Sequence, residues 1–309
     1  MVNDGRFADE RCKIAWKVKV AFIEMIEIEV ASQFVRHIML HSPSRLPILN
    51  VPTGLPFVGR QQRLVPSPRR TRRDIELAIT SRSLRLDVAP RIALGSDRIA
   101  GVEASIAWPR QGRAMLPGDV LLRAAEHSGQ IIRIGDWLLG AACAYAAHAD
   151  RAEGTISITL SGRELVQNDL VERVRDALDR AGLPPAQLEL QLSERLLTGV
   201  SLDILLSLSA LRDYGVGIAM DDFGTGQASL AMLKRLPLTT LKLDRGLIRD
   251  VPHDREDAAI ARAIIETGHA LGFEIVAQGV DVEAQLDFLR KAGCDKGQGE
   301  LFAGRASGG

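Results

Sequence analysis

Two adjacent carboxylates, Asp221 and Asp222, end an apolar run in the segment IAMDDFGTGQASL, where a Gly-Thr-Gly turn and an apolar helical pattern follow them. Other polar side chains stand at the ends of other strand-like runs: Glu103, Thr159, Gln191 with Glu194, Lys242 with Asp244, Gln278 and Gln298. Acids that converge from several strands would hold Mg²⁺ or Mn²⁺. Such ions activate water and neutralise phosphate charge in phosphodiester hydrolysis. Lys242 would hold the metal-bound water or a phosphate oxygen as a point charge.

Each of these positions also has a simpler interpretation. A single acid at the end of a strand commonly caps the helix that follows, and Asp221 and Asp222 fit that role. The same pattern at the ends of several strands favours a site over a set of unrelated caps.

The elements that would position these side chains alternate regularly from Asp74 onward. The runs LRLDVAPRIAL and RIAGVEASIAW, separated by GSD, predict a hairpin. After it, strands are predicted in TISITL, LELQL, VGIAM, TLKLD, FEIVAQ and near Asp295, between helices over 132–148, 163–181, 201–213, 227–234, 255–271 and 282–291. Short apolar strands are typical of a parallel sheet buried on both faces. Roughly eight of them predict an α/β fold of the (β/α)8 barrel class, whose chemistry lies at the C-terminal strand ends.

The first 73 residues are predicted to be an N-terminal extension and linker, and residues 74–309 the folded domain. An amphipathic helix is predicted over 14–40 and a proline-rich linker over 42–68, followed by the basic run RRTRR. Charges such as Lys17, Glu24 and Glu29 interrupt the apolar residues of 14–40, so no membrane span is expected there. No signal peptide is recognised, and a cytoplasmic protein is expected.

Composition excludes several classes of protein. Lys plus Arg and Asp plus Glu both total 39, so net charge gives no reason to expect a nucleic-acid polymer as partner. The three cysteines, Cys12, Cys143 and Cys294, have no CxxC spacing, which argues against a disulfide framework or a zinc knuckle.

The chain from about Asp74 to Gly304 resembles the EAL domain, the cyclic di-GMP phosphodiesterase module of bacterial signal transduction. The resemblance rests on VEASIAW, LPGDVLLRAAEHSGQIIRIGDWLL, ITLSGREL, LELQLSE, MDDFGTGQASL, LPLTTLKLDR, VAQGVDVEAQ and GCDKGQGELF, in that order. It implies a modified (β/α)8 barrel, hydrolysis of one phosphodiester bond of cyclic di-GMP, two Mg²⁺ or Mn²⁺ ions and a homodimer. No GGDEF cyclase core precedes the domain, so synthesis of cyclic di-GMP is not expected.

Several positions that bind metal in the family have changed. The resemblance assigns metal ligation to Glu103, Asp221 and Asp222, which keep the family's residue. Thr159 stands at the family's asparagine, and Gln191 stands at a metal-binding glutamate. Gln278 replaces the glutamate that helps to activate water, and a neutral amide has no basic lone pair for that work. Weakened metal binding is therefore expected.

Ligand-binding positions differ too. Ala107 and Ala89 stand where the family has a phosphate-gripping arginine and a glutamine, and Glu300 replaces a tyrosine. Asp281 replaces a glutamate that, in the family, steadies the metal-sensing loop and couples to the dimer partner. The remaining positions assigned to the ligand are Asp244, Gln298 and Glu194.

The sequence therefore predicts a degenerate EAL domain, a pseudoenzyme that binds a protein partner or cyclic di-GMP. The alternative is a working phosphodiesterase in which Asp281 or Glu194 serves as the base. A folded but idle product is the third interpretation.

Overall fold

The computed structural model describes residues 68–81, 83–109, 118–148, 154–226 and 228–303. The chain divides into two units, Met1–Arg63 and Leu64–Gly309, and all described residues belong to the second. The helix predicted over 14–40 and the predicted linker up to residue 67 lie outside the described residues.

Eight strands close into a barrel in chain order. The strands are β1 (Arg85–Ala93), β2 (Ile99–Ala107), β3 (Thr155–Thr159), β4 (Leu188–Ser193), β5 (Gly217–Phe223), β6 (Thr240–Leu243), β7 (Glu274–Gln278) and β8 (Lys296–Gln298). Strand β1 is antiparallel to both of its neighbours, β2 and β8, and the other adjacent pairs are parallel. The predicted hairpin and the modified (β/α)8 barrel are confirmed.

Helices cover the outside of the barrel. The α-helices are α1 (Pro68–Thr80), α2 (Gly118–Ser128), α3 (Ile131–His148), α4 (Gly162–Leu165), α5 (Leu170–Ala181), α6 (Glu194–Leu197), α7 (Leu202–Tyr214), α8 (Leu230–Leu233), α9 (Arg245–Ile248), α10 (Arg255–Ala270) and α11 (Glu283–Lys291). Two 3₁₀ turns lie at Pro185–Gln187 and Glu300–Phe302.

Helices α2, α6 and α9 were not predicted, and two further differences concern α1 and the helix predicted over 163–181. Helix α1 begins at Pro68 and crosses the predicted boundary at residue 73, because proline is favoured in the first helical turn and the arginines after it are good helix formers. The helix predicted over 163–181 is split in two. Ser161 and Glu164 form a capping box that closes a single turn, α4, and α5 begins only at Leu170.

Side-chain alternation on the strands places polar residues inside the barrel. Every residue of β6 is buried, and Leu241 and Leu243 belong to the apolar core. Residues two apart on a strand share a face, so Thr240 and Lys242 on β6 point the same way, as do Glu189 and Gln191 on β4. The barrel interior therefore contains two stacked polar tiers.

The lower tier is a buried ion pair with hydroxyl partners. Arg91 from β1 donates to Glu189 Oε1 at 2.6 Å and to the Ser157 hydroxyl, and the Thr240 hydroxyl donates to Glu189 Oε2 at 2.6 Å. Burial alone would raise the pKa of Glu189, but the Arg91 guanidinium and the Thr240 hydrogen bond hold it below the usual value. This tier lies next to the upper one inside the barrel, because Glu189 and Thr240 are two residues before Gln191 and Lys242 on the same strands.

Candidate functional site

Lys242 is at the centre of the upper tier. Its ammonium Nζ donates to Glu103 Oε2 at 2.9 Å and to Gln191 Oε1 at 3.0 Å, and it lies 2.9 Å from Asp221 Oδ1. The side chain is fully buried. These residues come from β2, β4, β5 and β6, so the strand ends converge as the sequence predicted. A buried ammonium with three oxygen partners is compensated, and each partner is held by it.

Asp221 Oδ1 carries three donors. Besides Lys242, it accepts from Gln278 Nε2 at 2.8 Å and from the Asp222 backbone N–H at 3.1 Å. The amide at 278 thus donates to the same carboxylate oxygen that the lysine contacts. A glutamate side chain at 278 would bring an acceptor where this donor now lies.

Thr159 and Gln191 complete the tier. The Thr159 hydroxyl donates to Gln191 Oε1 at 3.2 Å, and Gln191 Nε2 lies 3.5 Å from Glu103 Oε2. Gln191 Oε1 therefore receives both Lys242 and Thr159. Thr159 and Gln191, the two substituted metal positions, are thus hydrogen-bonded to each other, and Gln191 is also hydrogen-bonded to Lys242.

The carboxylates of the site have different electrostatic environments. Burial would raise the pKa of Glu103, but the charge and hydrogen bond of Lys242 outweigh it, so the pKa lies below the usual value. Partial removal from water raises the pKa of Asp222, and the negative charges of Asp221 and Asp244 add to that shift. Asp222 has φ +56°, a left-handed conformation that aspartate tolerates. The two neighbouring aspartates consequently face different surroundings, one the lysine and the other a cavity.

A cavity of about 500 Å³ opens above this tier at the strand ends. It is lined by Ala89, Pro90, Glu103, Asp222, Asp244, Arg245, Gln278, Gly279, Asp281, Gln298, Gly299, Glu300 and Ala303. Six of the predicted site residues, Gln298 among them, are thus brought to one cavity, and Ala89 and Glu300 lie there too. Gln298 Oε1 is buried without a hydrogen-bond partner among the described residues.

Glu194 lies elsewhere and has a different task from the ones predicted. It is only 2% exposed, and its carboxylate accepts backbone N–H groups of Gly224 at 3.0 Å, Gly226 at 2.9 Å and Ala228 at 2.6 Å. Those amides belong to the loop after β5. A carboxylate with these oxygen atoms occupied neither contacts a ligand in the cavity nor serves as a substitute base, so both expectations for Glu194 are corrected.

We expect Glu194→Gln to loosen the loop after β5. The amide NH₂ would face one or two backbone donors that now reach a carboxylate, at a cost of roughly 1–3 kcal/mol in unfolding free energy. Hydrogen exchange at the amides of Gly224, Gly226 and Ala228 should accelerate more than exchange in β4. Glu266→Gln, on an exposed face of α10, is the control and should change neither quantity. Unaltered loop exchange in Glu194→Gln would contradict this role.

Asp281 also differs from its expected role. Its Oδ1 accepts the Glu300 backbone N–H at 3.1 Å, and its Oδ2 lies 3.4 Å from the Arg245 guanidinium. It links the connections after β6, β7 and β8 and has no described contact with the loop after β5. The loop-steadying role that the resemblance assigned to position 281 belongs to Glu194 here.

The donor set does not fit a two-metal centre. Asp221 Oδ1 already carries three donors, and Gln191 Oε1 carries two. Within the described ranges, no three side chains among histidine, cysteine, aspartate and glutamate are grouped to hold an ion. A cation bound at Asp221 Oδ1 would have to displace one of these donors.

Arg245 and Gly279 are two of the cavity residues that the sequence analysis missed. Arg245 follows Asp244 directly, and Gly279 follows Gln278. Gly279 has φ +71°, and a Cβ there would lie 2.6 Å from Arg245 Cβ. The Gln-Gly pair at the end of a predicted strand was the available indication, since such a glycine often marks a close approach of two chain segments.

Comparison with known proteins agrees with the barrel fold. A family profile described as "EAL domain" matches residues 72–305. The bifunctional diguanylate cyclase/cyclic di-GMP phosphodiesterase MucR of Pseudomonas aeruginosa is 40% identical over 235 residues, which cover 74% of this chain and 34% of MucR. The cyclic di-GMP phosphodiesterase NbdA of the same organism is 36% identical over 236 residues, 74% of this chain and 30% of NbdA. The chain spans about a third of the length of these relatives.

A solved structure is similar as well. The MucR phosphodiesterase in complex with cyclic di-GMP has a TM-score of 0.71 and 38% identity, and the match covers 76% of this chain and 96% of that one. The described part of the chain contains no helix that is long and apolar enough to cross a membrane.

Proposed function

The chain belongs to the EAL-domain family, and from that premise we propose that it acts in cyclic di-GMP signalling by binding the nucleotide without hydrolysing it. EAL phosphodiesterases generally depend on divalent metal ions. The observation that carries the proposal is the saturation of Asp221 Oδ1 by Lys242, Gln278 and the Asp222 N–H. This carboxylate oxygen, which would otherwise be open to a metal ion, is engaged by the chain's own donors.

Loss of the general base is expected to lower the hydrolysis rate further, beyond the effect of weakened metal binding. Gln278 carries no proton-accepting carboxylate, and removing a general base typically lowers a rate by about 10² to 10⁴. Glu194 is buried against the loop after β5 and Asp281 is engaged by Arg245 and the Glu300 N–H, so neither is positioned to replace it. In this proposal, the residues of the site bind and orient the nucleotide but do not deprotonate water.

Nucleotide binding is supported by the cavity, which is present although several of its lining residues differ from those of the family. Its volume of about 500 Å³ and its lining of Asp222, Asp244 and Gln298 are kept at the strand ends. The proposal takes the chain to be a homodimer, as the family resemblance implies, and cytoplasmic, as the sequence predicts. Weak metal binding belongs to the same proposal.

A protein partner is the second candidate. The cavity has carboxylates at Asp222 and Glu300, and alanine stands at positions 89 and 107 in place of polar contacts. The two negative charges and the missing polar contacts disfavour a ligand with two phosphodiester charges, as long as no cation accompanies it. A domain that no longer binds the nucleotide would act through a surface that binds a protein partner.

The test is calorimetric titration of the purified chain with cyclic di-GMP in excess Mg²⁺, with the products separated by chromatography. The expected result is a saturating heat and no linear dinucleotide. Appearance of the linear product would overturn the proposal and make the chain a phosphodiesterase. Absence of both heat and product would overturn nucleotide binding and favour the protein partner.

Gln278→Glu distinguishes the working-enzyme alternative. If the rest of the site were functional, restoring the carboxylate alone should raise the rate by about 10² or more. We expect no linear product from this variant, because Gln191, Thr159 and Ala107 remain changed.

A further inference from the structure

The cavity contains one positive side chain among its described lining residues, Arg245. It is the first residue of α9, directly after Asp244, whose carboxylate accepts the Gly246 N–H at 2.7 Å. The Arg249 N–H donates to the Arg245 carbonyl at 2.8 Å and closes the turn. The backbone at 245 is thereby fixed at the cavity wall.

The opposite side of Arg245 is shaped by Gly279. A Cβ on Gly279 would lie 2.6 Å from Arg245 Cβ and 3.7 Å from Arg245 Nε, so the bare backbone after β7 makes room for the arginine stem. The guanidinium is otherwise loosely held. Its side chain is 70% exposed, and its described partner is Asp281 Oδ2 at 3.4 Å. An exposed ion pair at that distance contributes little to stability and can be exchanged for another anion.

The position matters because the domain lacks the family's own phosphate-gripping arginine. Ala107 stands there and is almost fully buried. A guanidinium offers two parallel N–H groups that match two phosphate oxygens. The neighbouring carboxylates Glu103 and Asp244 already have donors in Lys242 and the Gly246 N–H. A phosphodiester entering the cavity would therefore find one available cation among the described lining residues.

We propose that Arg245 binds a phosphodiester group of the cyclic dinucleotide and supplies the phosphate interaction that Ala107 cannot make, with Asp281 holding the guanidinium in the empty cavity. The inference rests on the proposed function, since it names the residue that recognises the proposed ligand. Phosphate replaces Asp281 as the partner of Arg245, and no bond of the ligand is broken.

The test is titration of the full chain with cyclic di-GMP in EDTA and in Mg²⁺, comparing the unmodified chain with Arg245→Ala, Arg245→Lys and Arg249→Ala. Arg249 is a matched control: it lies in the next turn of the chain, its side chain is 72% exposed, and it pairs with Asp250 at 2.9 Å. Arg245→Ala should weaken binding about 10- to 100-fold, as loss of one charged hydrogen-bonded contact does. Arg245→Lys should recover part of the affinity, and Arg249→Ala should change it less than twofold.

The outcomes separate the two proposals. If the unmodified chain binds and Arg245→Ala binds within twofold of it, the assignment of Arg245 is overturned and nucleotide binding stands. If the unmodified chain gives no heat, nucleotide binding fails and the assignment of Arg245 fails with it. Asp281→Asn adds a second readout, because freeing the guanidinium should strengthen binding severalfold. Weaker binding in Asp281→Asn would contradict the exchange of partners.

Discussion

The double variant Gln191→Glu/Gln278→Glu is expected to gain a thermal response to Mn²⁺ that exceeds the response of the unmodified chain, whose metal binding is expected to be weak. A carboxylate at 278 would place an oxygen about where Gln278 Nε2 now lies, 2.8 Å from Asp221 Oδ1. Two anionic oxygens at that distance repel each other unless a proton or a cation lies between them. The second new carboxylate, at 191, adds another oxygen ligand beside Lys242. Together they restore the charge that a divalent ion requires.

The size of the response follows from binding linkage. A ligand at about 100 times its Kd stabilises the folded state by roughly 2.7 kcal/mol, which raises Tm by about 5–10 °C in a domain of this size. In EDTA the double variant should melt below the unmodified chain, since its carboxylates are then uncompensated. Differential scanning fluorimetry with and without Mn²⁺ measures both effects.

A charge-matched variant is the control for nonspecific effects. Gln167→Glu/Asn168→Asp adds the same two charges between α4 and α5, outside the cavity lining. Its Tm should respond to Mn²⁺ as that of the unmodified chain does. If the unmodified chain itself shows a shift of several degrees that saturates with Mn²⁺, the conclusion that its donor set excludes a metal is wrong.

The order of strands and the convergence of their ends were accessible from the sequence. Short apolar runs with one polar residue near the end, as in TLKLD, indicate both a buried parallel strand and a side chain at the mouth of a barrel. Lys242 and Gln191 were found in this way and meet in the structure. The antiparallel first strand followed from the GSD connection, which is too short for a crossover.

The partners of each side chain were not accessible in the same way. Glu194 follows Gln191 at a spacing that suggests one shared site. However, α6 begins directly after Ser193, and the Glu194 carboxylate contacts the loop after β5 instead. Arg91 was passed over because a lone arginine in a strand has no distinctive pattern, and only the pairing of β1 with β2 and β8 brings it to Glu189. Which loop a carboxylate reaches depends on turns of a few residues, and strand patterns do not encode them.

Lys242→Met is expected to lower the free energy of unfolding by about 3–5 kcal/mol, the cost typical of removing one partner from a buried ion pair. The fully buried ammonium lies within 3.0 Å of oxygens from Glu103, Gln191 and Asp221. Without it, two carboxylates with side chains only 24% and 12% exposed are left without their counter-charge. Urea denaturation of the purified variant measures the loss.

A double-mutant cycle tests whether charge, and not packing, causes that loss. Glu103→Gln removes one of the two carboxylates, so Lys242→Met should cost at least about 1 kcal/mol less in that background than in the unmodified chain. Additive losses would instead indicate that the lysine acts by filling space. Mn²⁺ supplies a further comparison. With the ammonium gone, Glu103 Oε2 and Asp221 Oδ1 each lose their positively charged partner, and added Mn²⁺ should recover part of the stability. Such recovery would mean that Lys242 does, in this chain, the electrostatic work that a metal ion would otherwise do.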